Sequence, residues 1–366
     1  MHALVIGGTG PTGHFIVNGL IHRGFKVAIL HRGLHEVDEI PPEVEHIHTD
    51  PFSATALAAA LERRWFDVII ATYGRLRRIA ELTRDHTDQL VSIGGVPAYS
   101  GYMNAPVWSP AGLPVPTAEG APLVQDEAED AKGWRIVKTE ERVFDQHPDA
   151  IHFRYPIVYG KYQLAPREWC IVRRLLDGRR RMIVPDDGLS LYHHGYAGNL
   201  AHAVLLAVDQ PDLARGKIFN AGDVEQLTLR QIIEITAAAL GREIELVSLP
   251  NALAVPARPL LAQPWSTHRV MDLTLIRSTL GYEDAWPPRE ALGSVARWLA
   301  ANSPEPGGTT ERILQDPFDY AAEDRLMDRW EQAVSGIELP RFSREPGFSV
   351  AYSGPGGKAR KSDWTG

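Results

Sequence analysis

The first thirteen residues leave few folds open. Leu4, Val5 and Ile6 form a short apolar run, the mark of a strand buried on both faces. Gly7, Gly8, Gly10 and Gly13 follow, and Phe15, Ile16, Leu20 and Ile21 then recur at helical spacing, which predicts a helix from about Pro11 or Thr12. Strand, glycine turn and helix in this order make a phosphate site. Glycine permits the tight turn and lets the amides of Gly7, Gly8, Thr9, Gly10, Pro11, Thr12 and Gly13, proline excepted, approach a pyrophosphate, while the helix N-terminus supplies partial positive charge. The spacing is G-x-x-G-x-x-G rather than G-x-G-x-x-G. Its place between a buried strand and an amphipathic helix gives it its meaning.

The pattern repeats. Lys26 to Leu30, Val44 to His48, Phe66 to Ala71 and Gln89 to Ile93 read as strands, with helices over Ala54 to Arg64 and Leu76 to Arg84. Alternating strands and helices predict a doubly wound parallel sheet, a Rossmann-type α/β fold. After the second strand a dinucleotide fold usually carries an acid for the ribose hydroxyls. Here His31-Arg32-Gly33 stands instead, and Arg32 suits a 2′-phosphate, so NADP is expected, with NAD as the alternative. Asp50 follows the third strand, placed to accept from an adenine amino group or to cap the next helix. Thr72, Tyr73 and Gly74 leave the fourth strand at its C-terminal end, where such sheets bind ligands.

From Gly94 to Lys132 the chain is rich in Gly, Pro, Ser and Ala, long enough to be a functional loop. A helix is predicted over Trp134 to His147 and a strand over Ile151 to Tyr155. The second half mixes short strands with helices. This divides the chain into a dinucleotide-binding domain over 1–160, to which later segments return, a smaller substrate lobe over 161–305, and a helix and surface tail over 306–366. Net charge is −8, which gives a nucleic-acid partner no electrostatic support. One cysteine, Cys170, fits a reducing compartment. With no apolar stretch of membrane-spanning length and the first strand starting almost at Met1, a cytoplasmic protein without a membrane partner is expected.

These motifs resemble the extended short-chain dehydrogenase/reductases of the NAD-dependent epimerase/dehydratase type, including its atypical branch, over residues 1 to about 300. The resemblance rests on the N-terminal glycines, Asp50, Lys138 with Glu141, Arg154-Tyr155-Pro156 with Val158-Tyr159-Gly160, the segment Gly195 to Ala201, and Asp272 before Leu280-Gly281-Tyr282. It implies that Tyr155, Pro156 and Val158 help to bind the cofactor, that Lys138 holds the nicotinamide ribose, and that the protein is a homodimer. In the family a tyrosine four residues before the lysine is the general acid/base. Position 134 is Trp here, and indole N–H does not titrate usefully. Glycine also replaces the family's hydroxyls in Gly94-Gly95-Val96.

Three functions follow from that departure. The first is an NADP-dependent enzyme acting on a small hydroxyl or carbonyl substrate, its acid/base supplied by Tyr102, Tyr73 or Ser92. The second is a lyase or isomerase that retains a bound nucleotide. The third is a nucleotide-sensing binding protein. Tyr102 is the first catalytic choice beside Lys138. Gly95, Val96, Tyr102, Trp134 and His193 are the expected substrate wall, and Tyr99, Trp108, Tyr159 and Trp169 add to an aromatic bias in the substrate. Of the 14 histidines, His46 and His48 share one face of a strand, but no Cys/His set shows zinc-ligand spacing, so no metal is expected.

Overall fold

The computed structural model describes residues 1–72, 74–344 and 346–347. Two compact units divide the chain, Met1–Asp319 and Tyr320–Gly366.

In the first unit the glycine turn joins β1 (His2–Ile6) to α1 (Gly13–His22). Then come β2 (Lys26–His31), β3 (Glu45–His48), α2 (Ala54–Leu61), β4 (Val68–Ala71), α3 (Leu76–Thr83) and β5 (Leu90–Gly95). After the long loop follow α4 (Glu127–Gln146), β6 (Ile151–Tyr155), β7 (Ile157–Tyr159), α5 (Trp169–Leu176), β8 (Arg181–Pro185), β9 (His194–Tyr196), α6 (Ala197–Asp209), α7 (Pro211–Ala214) and β10 (Ile218–Asn220). The unit closes with α8 (Leu229–Ala239), β11 (Glu245–Leu249), α9 (Arg258–Leu261), α10 (Thr274–Leu280), α11 (Pro288–Ala301) and α12 (Thr309–Leu314). The second unit contributes α13 (Tyr320–Ser335).

The central sheet has seven parallel strands in the order β10-β6-β5-β4-β1-β2-β3. Strand order reverses between β1 and β4, so a crevice opens at their C-terminal ends. β10, from the second half, completes the sheet beside β6, with Ile218 opposite His152. The apolar runs of β1 and β4 are buried throughout because helices cover both faces. Two further parallel pairs, β8 with β11 and β7 with β9, build the second lobe. Its own apolar core gathers Trp169, Ile171, Leu175, Val184, Ile233, Leu292 and Val295. No described helix is long and apolar enough to cross a membrane.

The strands β7 and β9 escape a sequence reading because each has three residues, and His194 and Tyr196 break the apolar pattern of β9. Helix α4 begins seven residues before the predicted Trp134. Asp126 caps it, its Oδ1 accepting from the amides of Ala128 and Glu129, both at 2.9 Å.

Candidate active site

A cleft of about 750 Å³ opens where β1, β2, β4, β5 and β6 end. Its floor is the glycine turn: Gly7, Thr9, Gly10, Pro11 and Thr12 line it. Gly7 has φ of 93°, a conformation that side chains disfavour. Gly8 and Gly13 serve packing instead. A Cβ on Gly13 would stand 2.3 Å from Gly8 O, and one on Gly8 would stand 2.7 Å from Ile29 Cγ2. Gly10 differs, since a Cβ there would meet nothing closer than Gly7 O at 3.6 Å. The space above it belongs to the cleft. Thr12 precedes α1 without a side-chain cap bond; the Gly13 amide donates to Gly10 O at 3.0 Å, and the following amides of the first turn are left for an anion.

Arg32, His31, Leu34 and His35 form the wall beyond β2. Arg32 lies 5.7 Å from the Phe52 ring centroid. Thr72 lines the cleft beyond β4, and its hydroxyl donates to Ile6 O at 3.0 Å and Gly7 O at 3.2 Å, tying two strand ends together. Tyr155 and Val158 line the far end with Ile93. The Tyr155 hydroxyl donates to Leu200 O at 3.2 Å, and burial pushes its pKa up. Tyr162, Gln163, Pro166 and Trp298 close the cleft from the second lobe. Burial, followed by the 2.5 Å bond from Tyr162 Oη to Glu39 Oε2, raises that phenol to about 12.

The remaining predicted residues lie elsewhere. Asp50 accepts from Phe52 N–H at 3.0 Å in a local turn, and Ser53, not Asp50, caps α2. Gly74 and Pro156 are absent from the lining, and Tyr73 lies outside the described residues. Gly95 and Val96 are absent from the lining, and Val96 is fully buried in the core. Tyr102 is buried under the Arg269 guanidinium, 4.8 Å from its ring. His193 is a core residue. Its Nδ1 accepts from Met271 N–H at 3.0 Å, and burial, with His194 beside it, lowers its pKa to about 3. Tyr99 is also in the core, so the aromatic wall comes from Tyr155, Tyr162 and Trp298 rather than from the long loop.

Lys138 is the sharpest correction. It sits in a shallow outward concavity with Arg77, Glu81, Glu141, Arg142 and Asp145, not in the cleft. Its ammonium pairs with Glu141 at 2.7 Å and lies 4.2 Å from the Trp134 ring centroid. The reason is a rotation of one residue. The buried face of α4 carries Gly133, Val137, Glu140 and Val143, so Trp134, Lys138 and Glu141 turn about 100° away from it. Glu140, not Glu141, meets the sheet, forking onto Arg154 at 2.7 and 2.9 Å. Ser92 is enclosed in the same network, 2.7 Å from His152 Nδ1 and fully buried, which removes it from any substrate.

One grouping of metal-ligand residue types, invisible in linear spacing, assembles in space. His31, Glu36, His46 and His48 converge at the edge of the sheet, one ligand atom from each lying within 4.8 Å of the others.

Crevice position, strand order and the glycine turn agree with one architecture. The chain has the fold of the extended short-chain dehydrogenase/reductases. UDP-glucose 4-epimerase from Thermotoga maritima, described with UDP-glucose, superposes with a TM-score of 0.64 at 16% identity over 82% of this chain and 99% of that one. A dTDP-glucose 4,6-dehydratase from Bacillus anthracis, described in complex with NAD, gives a TM-score of 0.62 at 16% identity over 82% of this chain and 97% of that one. In sequence, UDP-D-apiose/UDP-D-xylose synthase 1 of Arabidopsis thaliana is 27% identical over 145 residues, 37% of this chain. The match spans about a third, 35%, of the plant protein's length. No protein-family model matches. Within the extended short-chain dehydrogenase/reductase fold this chain departs from the resemblance at the proton-handling groups: among the described residues lining the cleft there is no lysine and no carboxylate.

Proposed function

We propose that the chain is an enzyme that binds a nicotinamide dinucleotide in this cleft and acts on a hydroxyl or carbonyl group of a nucleotide-activated sugar. The observation that carries the reading is the open, uncapped glycine turn under a cleft of about 750 Å³. A pyrophosphate fits there, since Gly10 presents backbone alone and the α1 amides have no side chain against them. Thr9, Gly10 and Thr12 would hold the diphosphate, Arg32 the adenosine end, and Thr72, Ile93, Tyr155 and Val158 the nicotinamide end. When bound, the dinucleotide supplies hydride chemistry.

The chain's own residues orient and shield. Trp298, Leu164 and Pro166 cover the groove with apolar surface, which keeps water from a reacting carbon. Tyr162, its one proton donated to Glu39, presents only an acceptor oxygen to the cleft and is not a base near neutrality. The sugar-nucleotide substrate is supported by what the similar proteins are named for, and NAD by the dehydratase complex. At the end of β2, His31-Arg32-Gly33 carries no acid, and Arg32 supports admission of NADP as well.

The absence of lysine and carboxylate among the described lining residues favours a second reading, a lyase, isomerase or sensor that retains nucleotide without net turnover. One experiment separates them. NAD and NADP are titrated by calorimetry, and reduced-nicotinamide absorbance is then followed with UDP- and dTDP-sugars. Saturable binding with turnover supports the first reading, and binding without turnover supports the second. No binding of either dinucleotide sinks both.

A further inference from the structure

We propose that His31, His46, His48 and Glu36 form a binding site for one late first-row divalent ion, zinc being the best match, at the β2–β3 edge of the sheet. The site goes beyond the dinucleotide reading and stands without it.

The donors come together because of strand register. β2 and β3 are parallel, with His31 opposite His48 and Ile29 opposite His46. His46 and His48, two residues apart, project from the same face of β3, and His31 projects beside them from β2. Glu36 reaches back from the segment after β2. His31 Nε2 lies 3.1 Å from His46 Nδ1. The Glu36 carboxylate oxygens lie 3.3 Å from His46 Nδ1, 3.3 Å from His48 Nε2 and 3.7 Å from His31 Nε2. A tetrahedral ion with bonds of about 2.0–2.1 Å sets its ligand atoms about 3.3 Å apart; the contacts of 3.1–3.7 Å lie close to that, and the set as a whole, within 4.8 Å, needs only side-chain adjustment to close on an ion.

Four donors of these types suit zinc, and the three imidazoles suit copper, nickel or cobalt as well. Magnesium and calcium prefer oxygen shells and are not matched. Three neutral imidazoles and one carboxylate leave a divalent ion with net charge of about +1, which half-exposed Glu36 and His48 let water moderate. Ligation through Nε2 places the His31 proton on Nδ1 and gives up the long 3.4 Å contact from Gly33 N–H.

The test uses the full chain without a histidine tag, cleared of metal by a chelator and free of nucleotide. Zn²⁺ is titrated by calorimetry, and Co²⁺ by visible absorption. The expected result is one ion per chain, strong visible bands of four- or five-coordinate Co²⁺, and displacement of Co²⁺ by Zn²⁺. His46→Ala and Glu36→Gln should each weaken binding at least about ten-fold, the loss that disturbing even an outer partner brings. His22→Ala, a ring bonded to Asn18 O on α1, should leave binding unchanged. Should a variant fail to fold, the wild-type melting temperature with and without saturating Zn²⁺ carries the test, because an ion held only by the native state raises it. No stoichiometric ion in the wild type, or equal affinity in the His46 and Glu36 variants, overturns the proposal.

Discussion

The two lobes of the first unit bury carboxylates on opposite terms. In the dinucleotide half Glu140 lies against the Arg154 guanidinium, a forked pair with both side chains almost wholly enclosed. Desolvation works against its charge, yet His152 Nε2 at 3.4 Å and the forked hydrogen bonds from Arg154 outweigh it and hold the carboxyl at about 2. In the second half Glu168 is fully enclosed with one oxygen lacking a hydrogen-bond partner, and burial raises it to about 7. Asp223 accepts from Asn199 Nδ2, Tyr196 N–H and Tyr159 Oη at 2.7–2.9 Å, and burial still raises it to about 7. Dipolar donors do not replace a facing cation. One half therefore carries a fixed charge and the other a pair of groups that exchange protons near neutrality.

The largest expected effect lies in the fixed pair. Glu140→Gln leaves Arg154 charged and enclosed, and should cost about 3–5 kcal/mol in denaturant unfolding at pH 7. The pair's contribution is present above the ordinary glutamate pKa and fades as pH falls from there toward about 2. A loss under 1 kcal/mol would erase the contrast between the lobes.

The second effect has the reverse sign. A raised carboxyl pKa favours the folded state below the unfolded pKa, and the advantage is lost as pH rises toward 7. Wild-type stability should carry this fall, on the order of 3 kcal/mol from Glu168. Glu168→Gln should flatten it and gain on wild type at pH 8 relative to pH 4. Parallel pH profiles for the two proteins would show Glu168 ionised in the fold.

The third effect is on binding. Gly10→Ala adds a methyl where only the cleft lies, so the melting temperature should hold while dinucleotide affinity falls about ten-fold, 1.4 kcal/mol. The smallest effect is at Lys138. Lys138→Ala removes an exposed pair worth roughly 0.3–0.5 kcal/mol and should change dinucleotide affinity less than about two-fold. A large loss there would return Lys138 to the cleft.

Most of the sheet is legible in the sequence because β1, β2 and β4 are short apolar runs and Ile151 to Tyr155 ends where predicted. The glycine turn, Arg32, Thr72 and Tyr155 are legible as cleft-lining positions for the same reason: each stands at the end of a readable strand, whereas Val158, inside the three-residue β7, comes only from the family resemblance. What is lost depends on rotation or register. Lys138 and Glu141 look correct by spacing, and a shift of one residue around α4 puts Glu140 inward instead. The helical phase of these residues is set after a kink at Asp130, whose Oδ1 accepts from Lys132 N–H at 3.0 Å. The alternation of His46 and His48 is visible in the chain, but their meeting with His31 and Glu36 needs the β2–β3 register, which no linear motif states.

His31 stands in two places at once, on the wall of the cleft and in the histidine cluster. An occupant of either place changes the free energy of the other by the same amount, whichever arrives first. Were the cluster to take an ion, an affinity measured for the groove would carry a hidden variable, the trace ions in the buffer, and a chelator would be the reagent that exposes it.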